Sequence, residues 1–188
     1  MRKNKKKTEE QNKEETIIGF LDESSPQTTA NTQRLWSFHK PKVKKNTTKK
    51  RANTFGFYAP NGESMVDFKE KSTKESVCKF LRQIRKANPN RKILTILDNF
   101  SSHHAKKTRS VAKELNITLM FLPPYPPDLN PIEYIWKSIK RKLSPQLINT
   151  EEELKTKVEK HFNKFSKDIS YAKKWLKTFY PKPNKSYV

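Results

Sequence analysis

The chain has 188 residues, enough for one domain with a buried core. Lys and Arg total 41 against 19 Asp and Glu, a formal net charge of +22, which favours polyanionic partners: nucleic acid or an anionic membrane surface. The longest strongly apolar run, Ile93 to Leu97, is far too short to span a bilayer, and the charged run after Met1 lacks a secretory apolar core. The single cysteine, Cys78, excludes an intrachain disulfide and a Cys-rich zinc site. Beside Val77, Phe80 and Leu81 it reads as core filler in a reducing compartment. Nucleic acid is the expected partner, with no membrane.

Residues 1–15 read as a disordered charged tail. Thr16 to Leu21 is apolar and rich in β-formers, a strand ending near Asp22. Gln33 to Phe38 and Thr54 to Tyr58 read as further strands, and Pro60-Asn61-Gly62 turns the second into a returning strand near Ser64 to Phe68. Between them, Lys40 to Arg51 holds seven basic residues and no acid, either a phosphate-contacting patch or a disordered arm. Lys44, Lys45, Lys49, Lys50 and Arg51 are its candidate DNA contacts.

The pattern then changes to helix alternating with strand. Ser72-Thr73-Lys74-Glu75 has capping-box spacing, followed by Val77, Phe80, Leu81 and Ile84 at helical intervals. Ile93 to Leu97 reads as a strand buried on both faces. Ala105, Thr108, Val111, Ala112 and Leu115 form a helical stripe, and Ile117 to Leu122 is the next strand, completing a βαβ unit. A Pro-rich loop, Pro123 to Asp128, feeds a helix starting at Pro131, whose apolar face is Ile132, Ile135, Trp136, Ile139 and Leu143. Lys137, Lys140 and Arg141 on that helix are further candidate DNA contacts. Thr150 to Glu153 starts another capped helix bearing Leu154, Val158, Phe162 and Phe165, and a last one carries Ile169, Ala172, Leu176 and Phe179. From Lys155 to Lys185 ten lysines face only Glu159 and Asp168. The aromatics near these basic stretches, Trp36, Phe38, Trp175, Phe179 and Tyr180, are expected mostly in the core. Strands first, then helices alternating with strands, imply an α/β domain with a mixed sheet. The expected division is a tail over 1–15, a domain over 16–145, and basic helices over 146–188 packed on it or extending it.

Three carboxylates stand out. Asp98 follows a buried strand, at the crevice where open α/β sheets bind ligands, or it merely caps the next turn. Glu133 falls at the third position of a helix begun by Asn130 and Pro131, where a glutamate commonly completes a cap. The same position puts it near the positive end of the helix dipole, ionised and available to a cation. Asp22 and Glu23 point to opposite faces of their strand, and either could be the functional acid. Acids on three separate elements could hold two divalent cations about 4 Å apart across a scissile phosphate, and hard oxygen ligands suit Mg²⁺.

Leu97-Asp98-Asn99, His103-His104-Ala105 and Leu122-Pro-Pro-Tyr-Pro-Pro-Asp-Leu-Asn-Pro-Ile-Glu133-Tyr-Ile-Trp136 closely resemble the mariner-like superfamily of Asp-Asp-Glu transposases, nearest its bacterial and archaeal insertion-sequence branch. Thirty-four residues separate Asp98 from Glu133, the spacing typical of that superfamily. Ile17-Ile-Gly-Phe-Leu-Asp22-Glu23 resembles its opening strand, where the Asp of an Asp-Glu pair is the first catalytic acid. The resemblance covers roughly Thr16 to Leu143. It implies an RNase H-like fold, a mixed five-stranded sheet flanked by helices, with Asp22, Asp98 and Glu133 as both catalytic residues and ligands of two Mg²⁺ ions that Mn²⁺ can replace. Asn99 and His103 match positions near the site and are given supporting roles, although His103 equally fits an exposed helix start.

The implied activity is cut-and-paste transposition of an insertion sequence by strand cleavage and transfer on double-stranded DNA, as a homodimer in the prokaryotic cytoplasm. Family members usually carry an N-terminal helix-turn-helix region, whereas here the catalytic domain begins about fifteen residues from Met1. A separate helix-turn-helix polypeptide is therefore an expected partner. The competing readings are an inactive or domesticated DNA-binding relic, and an RNase H-like nuclease acting on RNA–DNA hybrids.

Overall fold

The computed structural model describes residues 16–29, 38–39, 44–123 and 130–179. The expected tail, most of the Gln33 to Phe38 strand, Trp36, Tyr180 and the centre of the Pro-rich loop lie outside them. Five strands form one sheet: β1 (Ile17–Ser24), β2 (Thr54–Tyr58), β3 (Met65–Phe68), β4 (Ile93–Leu97) and β5 (Ile117–Phe121), in the spatial order β3-β2-β1-β4-β5. β1, β2 and β3 pair antiparallel, while β4 and β5 run parallel to β1. This is the mixed sheet expected of an RNase H-like fold. Meander strands need only short turns, whereas the parallel β4–β5 connection needs a crossover.

The helices are α1 (Lys74–Ala87), the single turn α2 (Ser101–His104), α3 (Lys106–Glu114), α4 (Pro131–Leu143), α5 (Glu151–Phe165) and α6 (Ser170–Phe179). α1 and α3 cover one sheet face, where Leu21, Phe55, Phe57 and Leu97 meet Val77, Phe80, Ile84 and Ala112. α4, α5 and α6 cover the other, where Phe20, Tyr58 and Ile96 meet Ile132, Trp136, Leu154, Phe162 and Ala172. β1 feeds both cores because successive side chains alternate: Phe20 goes to one and Leu21 to the other.

Several local expectations shift. Thr73, not Ser72, caps α1, accepting from the Ser76 amide at 3.3 Å, while Ser72 bonds Asn53 instead. The Ala105 stripe is broken at Ala105 itself, whose extended backbone separates α2 from α3. α6 packs through Tyr171, Ala172, Trp175 and Leu176, leaving Ile169 and Phe179 more than half exposed. Trp175 lies edge-on to Phe20 at 4.9 Å and belongs to the core. Phe38 is fully exposed.

The basic stretch from Lys44 to Arg51 is bound to the domain rather than free. Asn46 bonds the Thr28 and Gln146 carbonyls and receives the Ile148 amide; Thr28 and Lys50 exchange further bonds. At the opposite end of the sheet, Arg85 gathers the carbonyls of Asn88, Arg91, Leu115 and Asn116, tying α1 to the starts of β4 and β5. Among the described residues no helix is long and apolar enough to cross a membrane.

Candidate active site

The sheet's architecture brings the three acids to one edge. β1 and β4 are adjacent and parallel, so their carboxyl ends, bearing Asp22 and Asp98, lie side by side. Asp22 shares the Phe20 face of β1, the face covered by α4, whose first turn carries Glu133. Glu23 points the other way, toward α2. Strand alternation thus separates the two candidate first acids.

Asp22 is buried, 7% exposed, and its proton affinity is raised well above the carboxylate norm. Burial is the largest cause, followed by the negative charges of Glu133, Glu23 and Asp98. All three expected acids therefore act on one another. Glu133 is raised too, by burial first; Lys140 pulls it back and Asp98 raises it further. Among the described residues its side chain makes no cap bond: Asn130 is the N-cap residue, itself without a side-chain cap bond, and its carbonyl meets the Glu133 amide at 3.0 Å. The carboxylate is left facing a pocket of about 310 Å³ lined by Glu133, Lys137, Lys140 and Arg141. Capping by a glutamate at this position, one reading of the sequence, is not seen among the described residues.

Asp98 behaves differently. Its Oδ1 accepts the Phe100 amide at 3.1 Å and His103 Nδ1 at 2.8 Å. The His103 bond holds its pKa below the carboxylate norm despite partial burial. His103 is 0% exposed, so the exposed helix-start reading fails. Its other nitrogen, Nε2, lies 3.1 Å from Glu23 Oε1. Burial disfavours the imidazolium, but the bonds to Asp98 and Glu23 outweigh it and push the pKa up to about 10. Asn99 donates to the Leu122 carbonyl and meets His104 Nε2 at 2.9 Å. His104 in turn stacks on Phe121 and contacts Arg109 at 3.0 Å. Asn99 thereby ties the Asp98 turn to the end of β5, where the chain leaves for Glu133.

Among the described residues, no three His, Cys, Asp or Glu side chains form a closed metal-ligand set as they stand. Asp98 is turned to His103 through its Oδ1. The donor chemistry nonetheless suits a hard cation: carboxylate oxygens from three elements, one of them buried with excess negative charge around it.

Gly56 is a site residue that composition and spacing did not single out. It sits directly opposite Asp22 in the β1–β2 ladder. A methyl there would lie 2.7 Å from Trp136 Cη2, nearer still to Cζ2, and 3.1 Å from Ile132 Cδ1. Its missing side chain lets α4 lie close over β2, which places Glu133 beside Asp22. A glycine inside a strand signals such a close approach.

A family model described as DDE superfamily endonuclease matches residues 18–155. The chain belongs to the DDE superfamily endonucleases. No curated protein matches it by sequence. Solved structures do match this DDE domain in fold. The Mos1 mariner paired-end complex with Mg aligns at TM-score 0.65 and 19% identity, over 80% of this chain and 49% of that one. The Mos1 paired-end complex with left transposon end gives 0.64 and 19%, over 82% and 49%. The Mos1 catalytic domain with Raltegravir and Mn gives 0.60 and 18%, over 82% and 72%. The chain thus spans about half the length of the transposase chains in those paired-end complexes.

Proposed function

We propose that this DDE domain is the catalytic domain of a transposase, cleaving and joining DNA strands with Asp22, Asp98 and Glu133 as the ligands of two Mg²⁺ ions, replaceable by Mn²⁺. The observation that carries the reading is Asp22: a carboxylate at the end of β1, beside the end of β4 and on the face covered by α4, whose proton affinity is raised first by burial and then by Glu133, Glu23 and Asp98. A buried carboxylate with further acids acting on it is costly unless a cation is its ordinary partner. When bound, a divalent pair supplies the charge that activates an attacking oxygen and stabilises a leaving one.

The chain's own groups do the rest. Asp22 presents its carboxylate from a rigid central strand, and Glu133 from the first turn of α4, where the helix dipole favours the anion. Lys137, Lys140 and Arg141 line the pocket at Glu133 and would hold the phosphates of double-stranded DNA beside the acids. Lys44, Lys45, Lys49, Lys50 and Arg51, on the segment tied to the chain just beyond β1, would add further phosphate contacts. Asn99 and His103 support Asp98. The likeness in fold to the Mos1 mariner paired-end complexes with Mg and with Mn supports this reading. Action as a homodimer on DNA, a bacterial or archaeal insertion-sequence origin and a cytoplasmic setting all belong to the proposal.

The test is divalent-dependent nicking of duplex DNA by the purified chain, with Asp98→Asn as the control. Loss of nicking with retained fold and DNA binding is expected. Nicking unchanged by Asp98→Asn would remove the triad. Salt-sensitive binding with no cleavage by the wild type would point to a non-catalytic DNA-binding relic, and preference for an RNA–DNA hybrid to a different nuclease.

A further inference from the structure

β1 sends Glu23 away from Asp22 and Glu133, toward the single turn α2 and its buried His103. That imidazole has a carboxylate on each nitrogen: Asp98 Oδ1 at 2.8 Å from Nδ1 and Glu23 Oε1 at 3.1 Å from Nε2. The His103 side chain is fully enclosed and that of Glu23 is 12% exposed, so neither is a solvated surface pair. Both bonds that fix Asp98, from the Phe100 amide and from His103, go to the same oxygen, Oδ1. Oδ2 receives neither.

From this geometry we infer that Glu23 and His103 are a pair of positioning residues that select which oxygen Asp98 offers to a divalent cation, and that Glu23 is not itself a cation ligand. The inference rests on Asp98 being a ligand, as proposed above. Carboxylates at a metal site are commonly oriented by hydrogen bonds from behind, and loss of such a partner typically weakens metal affinity about 10- to 100-fold. His103 acts on Asp98 directly; Glu23 acts by holding His103. The carboxylate also meets the buried ring's second nitrogen, which would otherwise lose its bond to water without replacement. Asp22 and Glu23, adjacent in sequence, thus have separate tasks on the two faces of one strand.

The discriminating feature is what an amide can replace. The oxygen of Gln at position 23 still accepts a hydrogen bond from His103, but an amide is a poor substitute for an anionic ligand. Mn²⁺ binding to the DNA-free protein is measured by electron paramagnetic resonance for the wild type, Glu23→Gln, Glu23→Ala, His103→Ala and Asp98→Asn. Near-wild-type affinity is expected for Glu23→Gln, a loss of about 10- to 100-fold for Glu23→Ala and His103→Ala, and the largest loss for Asp98→Asn. Glu23→Gln failing as badly as Asp98→Asn would make Glu23 a ligand and overturn the inference. Wild-type affinity in both alanine variants, with Asp98→Asn still defective, would overturn it while leaving the triad standing. Unchanged binding by Asp98→Asn would remove the triad and this inference with it.

Should the alanine variants not fold, volume-conserving variants decide in the same Mn²⁺ assay. His103→Leu, close in volume and without a donor, is expected to lose about 10- to 100-fold in Mn²⁺ affinity while Glu23→Gln stays near the wild type. Wild-type affinity in His103→Leu would overturn the inference.

Discussion

Gly56→Ala probes the link between packing and the site. The added methyl falls 2.7 Å from Trp136 Cη2 and 3.1 Å from Ile132 Cδ1, whereas carbon atoms pack at about 3.5–4.0 Å, so the contact is short by about 1 Å. Trp136 is 1% exposed and backed by Phe162 at 5.4 Å, leaving the ring no room to swing away. α4 must move, and Glu133 sits one turn before Trp136 on it. Overpacking a core in this way costs about 1–3 kcal/mol, a fall in Tm of about 2–4 °C per kcal/mol for a chain of this size. A displacement of about 1 Å at a reacting centre costs about 100-fold in rate. The control is Gly19→Ala, whose methyl would meet the Phe57 ring in the core beneath α1 and α3, on the sheet face away from α4. Thermal unfolding and Mn²⁺-dependent nicking are measured for both and the rates corrected for folded fraction. Both variants are expected to melt lower, and only Gly56→Ala to lose about 100-fold in rate per folded molecule. Equal rate losses in the two would refute the role assigned to Gly56.

The raised proton affinity of Asp22 gives a pH dependence with a definite sign. Burial, then Glu133, Glu23 and Asp98, make the folded state bind this proton more tightly than the unfolded chain does. Its contribution to stability is therefore complete below the unfolded carboxylate value of about 3.9 and is lost as pH rises through the folded value. In chelator, the melting temperature of Asp22→Asn should gain on the wild type as pH rises from 4, and Mg²⁺ should stabilise the wild type more at higher pH; parallel profiles would show that Asp22 is not so perturbed. Lys140→Ala and Arg141→Ala should each lower the slope of log affinity for duplex DNA against log salt by about 0.9 if the side chain meets one phosphate. Fluorescence anisotropy across a salt series reads this directly, and an unchanged slope would remove that residue from the interface.

The sequence by itself determined the sheet and the helices that matter. Ile93 to Leu97 and Ile117 to Phe121 are short apolar runs too brief for helices, and the Ile132 to Leu143 stripe has helical spacing, so local hydrophobic pattern sufficed. The 34-residue spacing of Asp98 and Glu133, and the Pro-rich block that precedes Glu133, were equally legible, because both are written along the chain. The α6 face was read imperfectly: Ile169 and Phe179 fit the helical spacing, yet the core takes Trp175, which reaches Phe20 across the sheet. Which acid of Asp22-Glu23 joins Glu133 depended on which strand face α4 covers, a fact of layer packing. The burial of His103 between two carboxylates 80 and 5 residues away in sequence could not be read locally either. Nor could the need for glycine opposite Asp22, since only the approach of Trp136 from a distant helix makes the missing methyl count. Local patterns specify elements; the electrostatics of the site arise where elements meet, and those meetings exist only in the folded chain.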